Sequence, residues 1–263
     1  FVDIDPVTFN IDPAAVEAAI TERTKAILPV HLFGQAADMD ALAAVAARHG
    51  IPIIEDVAQA FGGVHDGKKL GSIGALGTFS FFPTKNLGGF GDGGLVTTND
   101  DVLADTVSML RKHGSRKKYH NEAFGYNSRL DELQAALLRV KLPHIDDANK
   151  GRRVAAERYA SMLAPLDGVV APEAVLDHVF HQYTVRVTDV DRGGVQDRMK
   201  AAGVNTMIYY PVPLHHLPVY AHIDADLPVT EAACGQVLSL PMWPEIDEAT
   251  QQRVIDALGA ALG

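Results

Sequence analysis

An α/β architecture is predicted for this chain of 263 residues: a large domain over 1–145 on a mostly parallel sheet, then a smaller α+β domain over 146–263. Three observations carry that expectation. A strand, helix, strand succession with short connections runs from Ala26 to Glu55, as in a right-handed crossover between parallel strands. Its apolar runs, Ala26-Ile27-Leu28-Pro29-Val30 and Ile51-Pro52-Ile53-Ile54, lack the polar alternation of a half-exposed sheet, as strands buried on both faces do. After about residue 150 the pattern changes to single helices alternating with strands.

Taken in order, Ala26 to Val30 is the first strand, and Asp38 is placed to cap a helix through Arg48 that Gly50 and Pro52 end. Ile51 to Glu55 is the next strand, closing on Asp56. Residues 77–82 and 94–98 give two more, separated by the turn Gly88-Gly89-Phe90-Gly91-Asp92-Gly93-Gly94. A dinucleotide-binding loop would need G-x-G-x-x-G spacing opening a helix, whereas here another strand follows. The glycines are therefore read as tight turns and close backbone approach. Asp100 and Asp101 cap a helix to Lys112, and helical periodicity recurs from Leu130 to Leu163 with breaks expected at Pro143 and Gly151, a spine joining the two domains. Beyond it come a strand at 182–187, a helix at 195–201, a strand at 205–209 and a closing helix from Asp247. Pro211, Pro213, Pro218 and Pro228 mark 211–228 as a long loop.

A formal net charge of -10 argues against a nucleic-acid or anionic-membrane surface. The basic cluster from Arg111 to Lys118 is read as a short solvated loop. Cys234 is the single cysteine, which excludes an intrachain disulfide and a four-cysteine zinc site and fits a reducing, cytoplasmic setting. No apolar run approaches the roughly 20 residues of a membrane span. The chain opens on Phe1-Val2-Asp3-Ile4, without Met, like the middle of a domain, so an N-terminal truncation is expected. His178 and His181, and the adjacent His215 and His216, lack acidic residues at supporting spacing. They are read as solvated or loop histidines, and no metal is expected.

The chemistry concentrates around Lys85 and Asp56. Asp56 ends an apolar strand, and open α/β sheets bind ligands outside the carboxyl ends of their strands. A carboxylate there needs a cationic partner or several donors. Lys85 follows the aromatic strand Phe79 to Phe82 and precedes the glycine turn, a place where desolvation lowers an amine's pKa and makes it a nucleophile and proton shuttle. An amine to hold an aldehyde as a Schiff base and a carboxylate to keep a pyridine nitrogen protonated are what pyridoxal 5'-phosphate requires. Between them, Gln59 offers an amide to the ring hydroxyl and Ser80 a hydroxyl to the phosphate.

Five ordered motifs span nearly the whole chain: Pro29-Val30-His31-Leu32-Phe33-Gly34, Glu55-Asp56-Val57-Ala58-Gln59-Ala60, Ser80-Phe81-Phe82-Pro83-Thr84-Lys85, Gly125-Tyr126-Asn127-Ser128-Arg129-Leu130-Asp131-Glu132 and Tyr209-Tyr210-Pro211-Val212-Pro213-Leu214-His215. In these the chain resembles the DegT-type (DegT/StrS) pyridoxal phosphate-dependent nucleotide-sugar aminotransferases, of the type I, aspartate aminotransferase-like fold. The resemblance implies Lys85 as the Schiff-base lysine, Asp56 on the pyridine nitrogen, Gln59 on the ring hydroxyl and Ser80 on the phosphate. It also implies a homodimer in which Asn127 of one subunit reaches the phosphate of the cofactor held by the other. Arg129, Tyr210 and His215 are similar to positions near the sugar. The implied reaction moves an amino group from glutamate, which leaves as 2-oxoglutarate, to a nucleotide-linked keto-sugar. Family members carry, ahead of this chain's first residue, a Gly-Thr or Gly-Ser phosphate-binding turn and an aromatic that stacks on the ring. Leu217 stands where many have Gln. A related sugar dehydratase, which carries His in place of the lysine, and a non-catalytic or inactive fragment are the alternatives.

Overall fold

Several helix starts in this chain are written by short-range polar residues, as the computed structural model, which describes residues 1–173 and 178–263, shows. Asp12 accepts the Ala14 N–H and Pro13 occupies the first turn, where no amide hydrogen is needed, to open α1 (Pro13–Ala19). Asp38 accepts the Ala41 N–H at 3.0 Å to open α2 (Met39–His49), and Gly50, at φ 64°, ends it in the left-handed conformation. The apolar face of α2, Met39, Leu42, Val45 and Ala46, packs on Val16, Ile27 and Ile53.

That helix covers the first sheet. β1 (Ile54–Asp56) is followed by the small hairpin of β2 (Val64–His65) and β3 (Lys68–Lys69), then β4 (Leu76–Ser80) and β5 (Gly94–Thr97). The order is β1-β4-β5, with β1 parallel to β4, Asp56 opposite Thr78, and β5 antiparallel at the edge. Ile27 and Val30 extend the sheet beyond β1 through parallel bridges to Ile53 and Asp56. The sheet is mostly parallel, as predicted, and Asp56 and Ser80 both finish strands at its carboxyl end.

Asp100 caps α3 (Asp101–Leu110), after which the basic cluster forms a short hairpin, β6 (Ser115–Lys117) and β7 (His120–Asn121), where a loop was expected. Arg116 reaches both Asp105 and Glu122, which holds the hairpin on α3. α4 (Glu132–Lys141) leads through a 3-10 turn at Leu142–His144 into α5 (Ile145–Leu163). The predicted break at Pro143 is that turn. The predicted break at Gly151 does not occur: α5 runs straight through it, and the absent side chain admits the Pro244 carbonyl, whose oxygen lies 2.5 Å from where a Cβ would stand. Leu138 and Ile145 pack on Phe81 and Leu87, while Tyr159 and Leu163 enter a second core with Tyr183, Leu238 and Leu258.

That second core is built on β8 (Val169–Val170), β9 (Tyr183–Val187), α6 (Arg192–Ala201), β10 (Val237–Leu240) and α8 (Glu248–Leu262), with antiparallel order β10-β9-β8, while Ala233 of α7 (Pro228–Gln236) packs in a separate cluster with Phe9, Phe33 and Val237. The strand expected at 205–209 is reduced to one bridge, Met207 to Ser239. β10, buried throughout, takes the place beside β9. The loop expected to reach 228 ends there, because Pro228 opens α7, and it contains two 3-10 turns, Leu214–His216 and Pro218–Tyr220. The Asp3 carboxylate accepts the Val229 and Thr230 N–H groups at 2.9 Å each, placing negative charge at the start of α7 and tying the chain's beginning to it. Among the described residues no helix is long and apolar enough to cross a membrane.

Candidate active site

Successive side chains of a strand point to opposite faces, so β1 sends Glu55 one way and Asp56 the other. Glu55 is fully buried, and its carboxylate accepts the N–H groups of Gly71 at 2.7 Å, Ile73 at 2.8 Å and Gly74 at 2.6 Å. His31 completes the set. Its Nδ1 accepts the Ala37 N–H at 3.0 Å, so its Nε2 carries the hydrogen given to Glu55 at 3.2 Å. Burial opposes ionisation of Glu55, but the His31 bond and the three N–H bonds together outweigh it and hold the carboxyl below its usual value. Glu55 thus bolts the 71–74 segment to β1 and leaves Asp56 facing the open end of the sheet.

Asp56 is half-buried, and its Oδ1 accepts the Ala58 N–H at 2.9 Å. Lys85, also half-buried, sits in the turn after β4, its N–H given to the Phe82 carbonyl at 2.9 Å. Burial lowers its ammonium pKa below the ordinary lysine value, and the nearby Asp56 charge opposes that shift more weakly. Neither side chain forms an ion pair among the described residues. A half-buried amine with lowered pKa and a half-buried carboxylate, close in space and both left without a salt-bridge partner, fit a ligand carrying an aldehyde and a basic ring nitrogen.

Gln59 is buried beside them. Its Oε1 accepts the Phe33 N–H at 2.7 Å and its Nε2 donates to the Tyr210 hydroxyl at 3.2 Å, which brings Tyr210 from the other end of the chain to the site. Burial raises the Tyr210 phenol above its ordinary value; the Gln59 bond lowers it, and the Tyr209 and Asp56 charges add to the rise. Ser80 ends β4 opposite Gly94, and its Oγ accepts only the local Phe82 N–H at 3.2 Å among the described residues. Lys85, Asp56, Gln59, Ser80 and Tyr210 therefore gather at one end of the first sheet.

Three predicted site residues make no hydrogen bond or ion pair with that group among the described residues. Asn127 and Arg129 are on the exposed segment after β7, where Asn127 bridges to Lys112, and no hydrogen bond joins either to Lys85 or Asp56 among the described residues. His215 is buried, with its Nε2 3.0 Å from the Glu231 carboxylate on α7, and His216 shares the same oxygen at 3.3 Å. The sequence showed no acid at supporting spacing for this histidine pair; the fold supplies one, and ligand atoms of all three lie within 4.8 Å of one another. These contacts pin the 214–216 turn to α7.

His178 and His181, expected to be solvated, are buried. His178 stacks on Phe180 at 3.8 Å between ring centroids and accepts the Phe180 N–H on Nδ1 at 2.9 Å. Burial drives its pKa down to about 3, and His181 also to about 3, by burial first and then by the Lys85 and Arg152 charges. Sequence reasoning passed over Asn86 and Asn149 and took His181 as solvated, whereas all three surround the base of the Lys85 turn. Asn86 adjoins Lys85, but its partner Asn149 is 63 residues away, a separation no local motif reveals.

A family model described as the DegT/DnrJ/EryC1/StrS aminotransferase family matches residues 1–259. The chain belongs to this family. Its enzymes depend on pyridoxal phosphate and have the type I, aspartate aminotransferase-like fold. A curated relative named "Pleiotropic regulatory protein", from Geobacillus stearothermophilus, is 54% identical, with 98% of this chain and 71% of that protein covered. A UDP-N-acetyl-3-dehydro-alpha-D-glucosamine 3-aminotransferase of Acidithiobacillus ferrooxidans is 46% identical over 100% of this chain and 71% of its own length. The crystal structure of NtdA from Bacillus subtilis, with bound cofactor PMP, superposes with a TM-score of 0.92 at 35% identity, covering 100% of this chain and 62% of that one. The dehydratase alternative finds no support: several of the relatives carry aminotransferase or transaminase names, and a lysine, not a histidine, stands at position 85.

Proposed function

We propose that this protein moves an amino group from glutamate to a nucleotide-linked keto-sugar, with pyridoxal 5'-phosphate seated between Lys85 and Asp56. The single observation that carries this is the pair itself, an amine and a carboxylate held close at a sheet's carboxyl end without an ion pair among the described residues. When bound, the cofactor supplies an aldehyde that carries the amino group and a ring that withdraws electrons from the reacting carbon. Asp56 holds a proton on the ring nitrogen. Lys85, its pKa lowered by burial, keeps a larger neutral fraction than a surface lysine and moves a proton at Nζ in both halves of the exchange.

Gln59, fixed by the Phe33 N–H, orients toward the ring hydroxyl, and Ser80 donates to the phosphate. Asn127 completes the phosphate site of the second subunit in a homodimer. The exposed apolar side chains Phe124, Tyr126, Leu133 and Val140 near that segment support an interface there. Arg129, Tyr210 and His215 contact the sugar nucleotide, and Leu217 bears on which sugar is taken. The chain divides into a cofactor-binding part, 1–145, and a smaller part, 146–263, and works in the cytoplasm.

The test adds pyridoxal phosphate to purified protein, records the visible absorbance of lysine-bound cofactor, and traps the adduct with borohydride for mass mapping. Glutamate with a panel of UDP- and dTDP-linked keto-sugars then reads turnover. The adduct is expected on Lys85 and is lost in Lys85→Ala with the fold retained. An adduct trapped on Lys85→Ala at wild-type yield refutes the assignment, and a protein that takes up no cofactor favours the non-catalytic or inactive-fragment alternative.

A further inference from the structure

A buried polar network lies behind the Lys85 turn, outside every contact proposed for the cofactor. Asn86 follows Lys85 and turns its side chain inward, where Nδ2 donates to Asn149 Oδ1 at 2.8 Å and to the Val179 carbonyl at 3.1 Å. With both amide hydrogens directed at oxygens, Oδ1 can only accept, so the His181 Nδ1, 3.2 Å away, carries the hydrogen between them. The remaining His181 nitrogen then accepts, facing Gln182 Nε2 at 3.5 Å.

Asn149, on α5, reaches the other half of the site. It is 2% exposed and donates through Nδ2 to the Phe61 carbonyl at 3.0 Å, at the end of the loop that runs from Asp56 through Gln59. Gly62 comes next, and a Cβ there would stand 2.7 Å from Asn149 Nδ2, so the loop approaches α5 as closely as backbone allows. The turn bearing His181 is held to the same helix by the buried Arg152, which donates to the Phe180 carbonyl at 2.9 Å. One face of α5 therefore grips both the turn that carries Lys85 and the loop that follows Asp56.

We propose that Asn86, Asn149 and His181 are positioning residues, a clamp on α5 that sets the separation between the Lys85 amine and the Asp56 carboxylate. This rests on the reading of those two residues as the cofactor's anchors. A misplacement of about 1 Å at a reacting group costs on the order of a hundredfold in rate, so an amide that links both loops through one side chain bears directly on reactivity. The network needs no charge: burial keeps His181 neutral, and a protonated ring there would face the Lys85 and Arg152 cations.

The experiment measures the rate at which purified protein captures pyridoxal phosphate on Lys85, by visible absorbance and by borohydride trapping with mass mapping, normalised to folded protein by circular dichroism. Asn86→Ala, Asn149→Ala and His181→Gln are expected to lower that rate by about tenfold or more. Two comparisons separate positioning from simple loss of stability. Leu258→Ala opens a cavity in the second core and lowers the melting temperature while leaving the capture rate per folded molecule unchanged. His181→Asn keeps an amide hydrogen at the Nδ1 place and retains capture, whereas His181→Gln moves the amide to the Nε2 place and loses it, although both remove the ring. Equal capture by these two histidine variants, or losses that track melting temperature across all variants including Leu258→Ala, overturns the clamp alone. Wild-type protein that captures no cofactor on Lys85 overturns the reading beneath it as well.

Discussion

Acid should destabilise this protein before its carboxylates begin to protonate, because of His178 and His181. Both are buried, and both have pKa values lowered from 6.5 to about 3. Below 6.5 the unfolded chain takes up protons that the folded chain refuses, so stability is full above 6.5 and falls as pH drops toward 3. At about pH 5.5, one unit under the unfolded value, each histidine costs roughly 1 to 2 kcal/mol, on the order of 3 kcal/mol for the pair. For a chain of this size that corresponds to a melting temperature about 6 to 11 °C lower than at about pH 7.5. Glu55, whose carboxyl is held below its ordinary 4.5, adds its own loss only at lower pH, so the comparison isolates the histidines. Thermal melts followed by circular dichroism at the two pH values measure the difference. His178→Asn, which keeps an acceptor for the Phe180 N–H but cannot titrate, should remove about half of the acid loss, whatever it does to stability at neutral pH. A wild-type melting temperature that is the same at both pH values, or an acid loss undiminished in His178→Asn, refutes the reasoning.

Three other outcomes follow from the site and the fold. Asp56→Asn keeps shape but loses the charge that holds a ring nitrogen protonated, so single-turnover rates with glutamate should fall by orders of magnitude, each tenfold step corresponding to about 1.4 kcal/mol of barrier; unchanged rates would leave Asp56 a structural residue. Mixing inactive Lys85→Ala chains with inactive Asn127→Ala chains should restore one working site per mixed dimer after subunit exchange, and full activity of Asn127→Ala by itself would remove the shared site. Gly151→Ala places a methyl against the Pro244 carbonyl, 2.5 Å away, and should lower stability by about 1 to 3 kcal/mol in a denaturant titration while sparing cofactor capture.

What could be read from sequence was local. Asp38 with Gly50, Asp100 and Asp247 mark helix ends because capping satisfies amides within a few residues of the capping side chain. Asp56 and Lys85 were legible for the same reason: an acid closing an apolar strand and a lysine closing an aromatic one announce a strand end, and a strand end of an α/β sheet is where ligands bind. The tertiary structure decided the rest. Gly151 looks like a helix break until Pro244, 93 residues later, is seen to occupy the space of its missing side chain. Residues 205–209 lie at the outer edge of β10, joined to it by the single Met207–Ser239 bridge, while 237–240 forms the strand beside β9 and buries all four of its residues. The burial of the histidines at 178 and 181 depends on distant partners: Arg152 on α5 donates to the Phe180 and His181 carbonyls, and Asn86 meets the His181 ring. The bonds of Asn149 to Asn86 and to the Phe61 carbonyl, which tie the segments after Lys85 and Asp56 to α5, were likewise illegible, because Asn149 is distant from both in the chain.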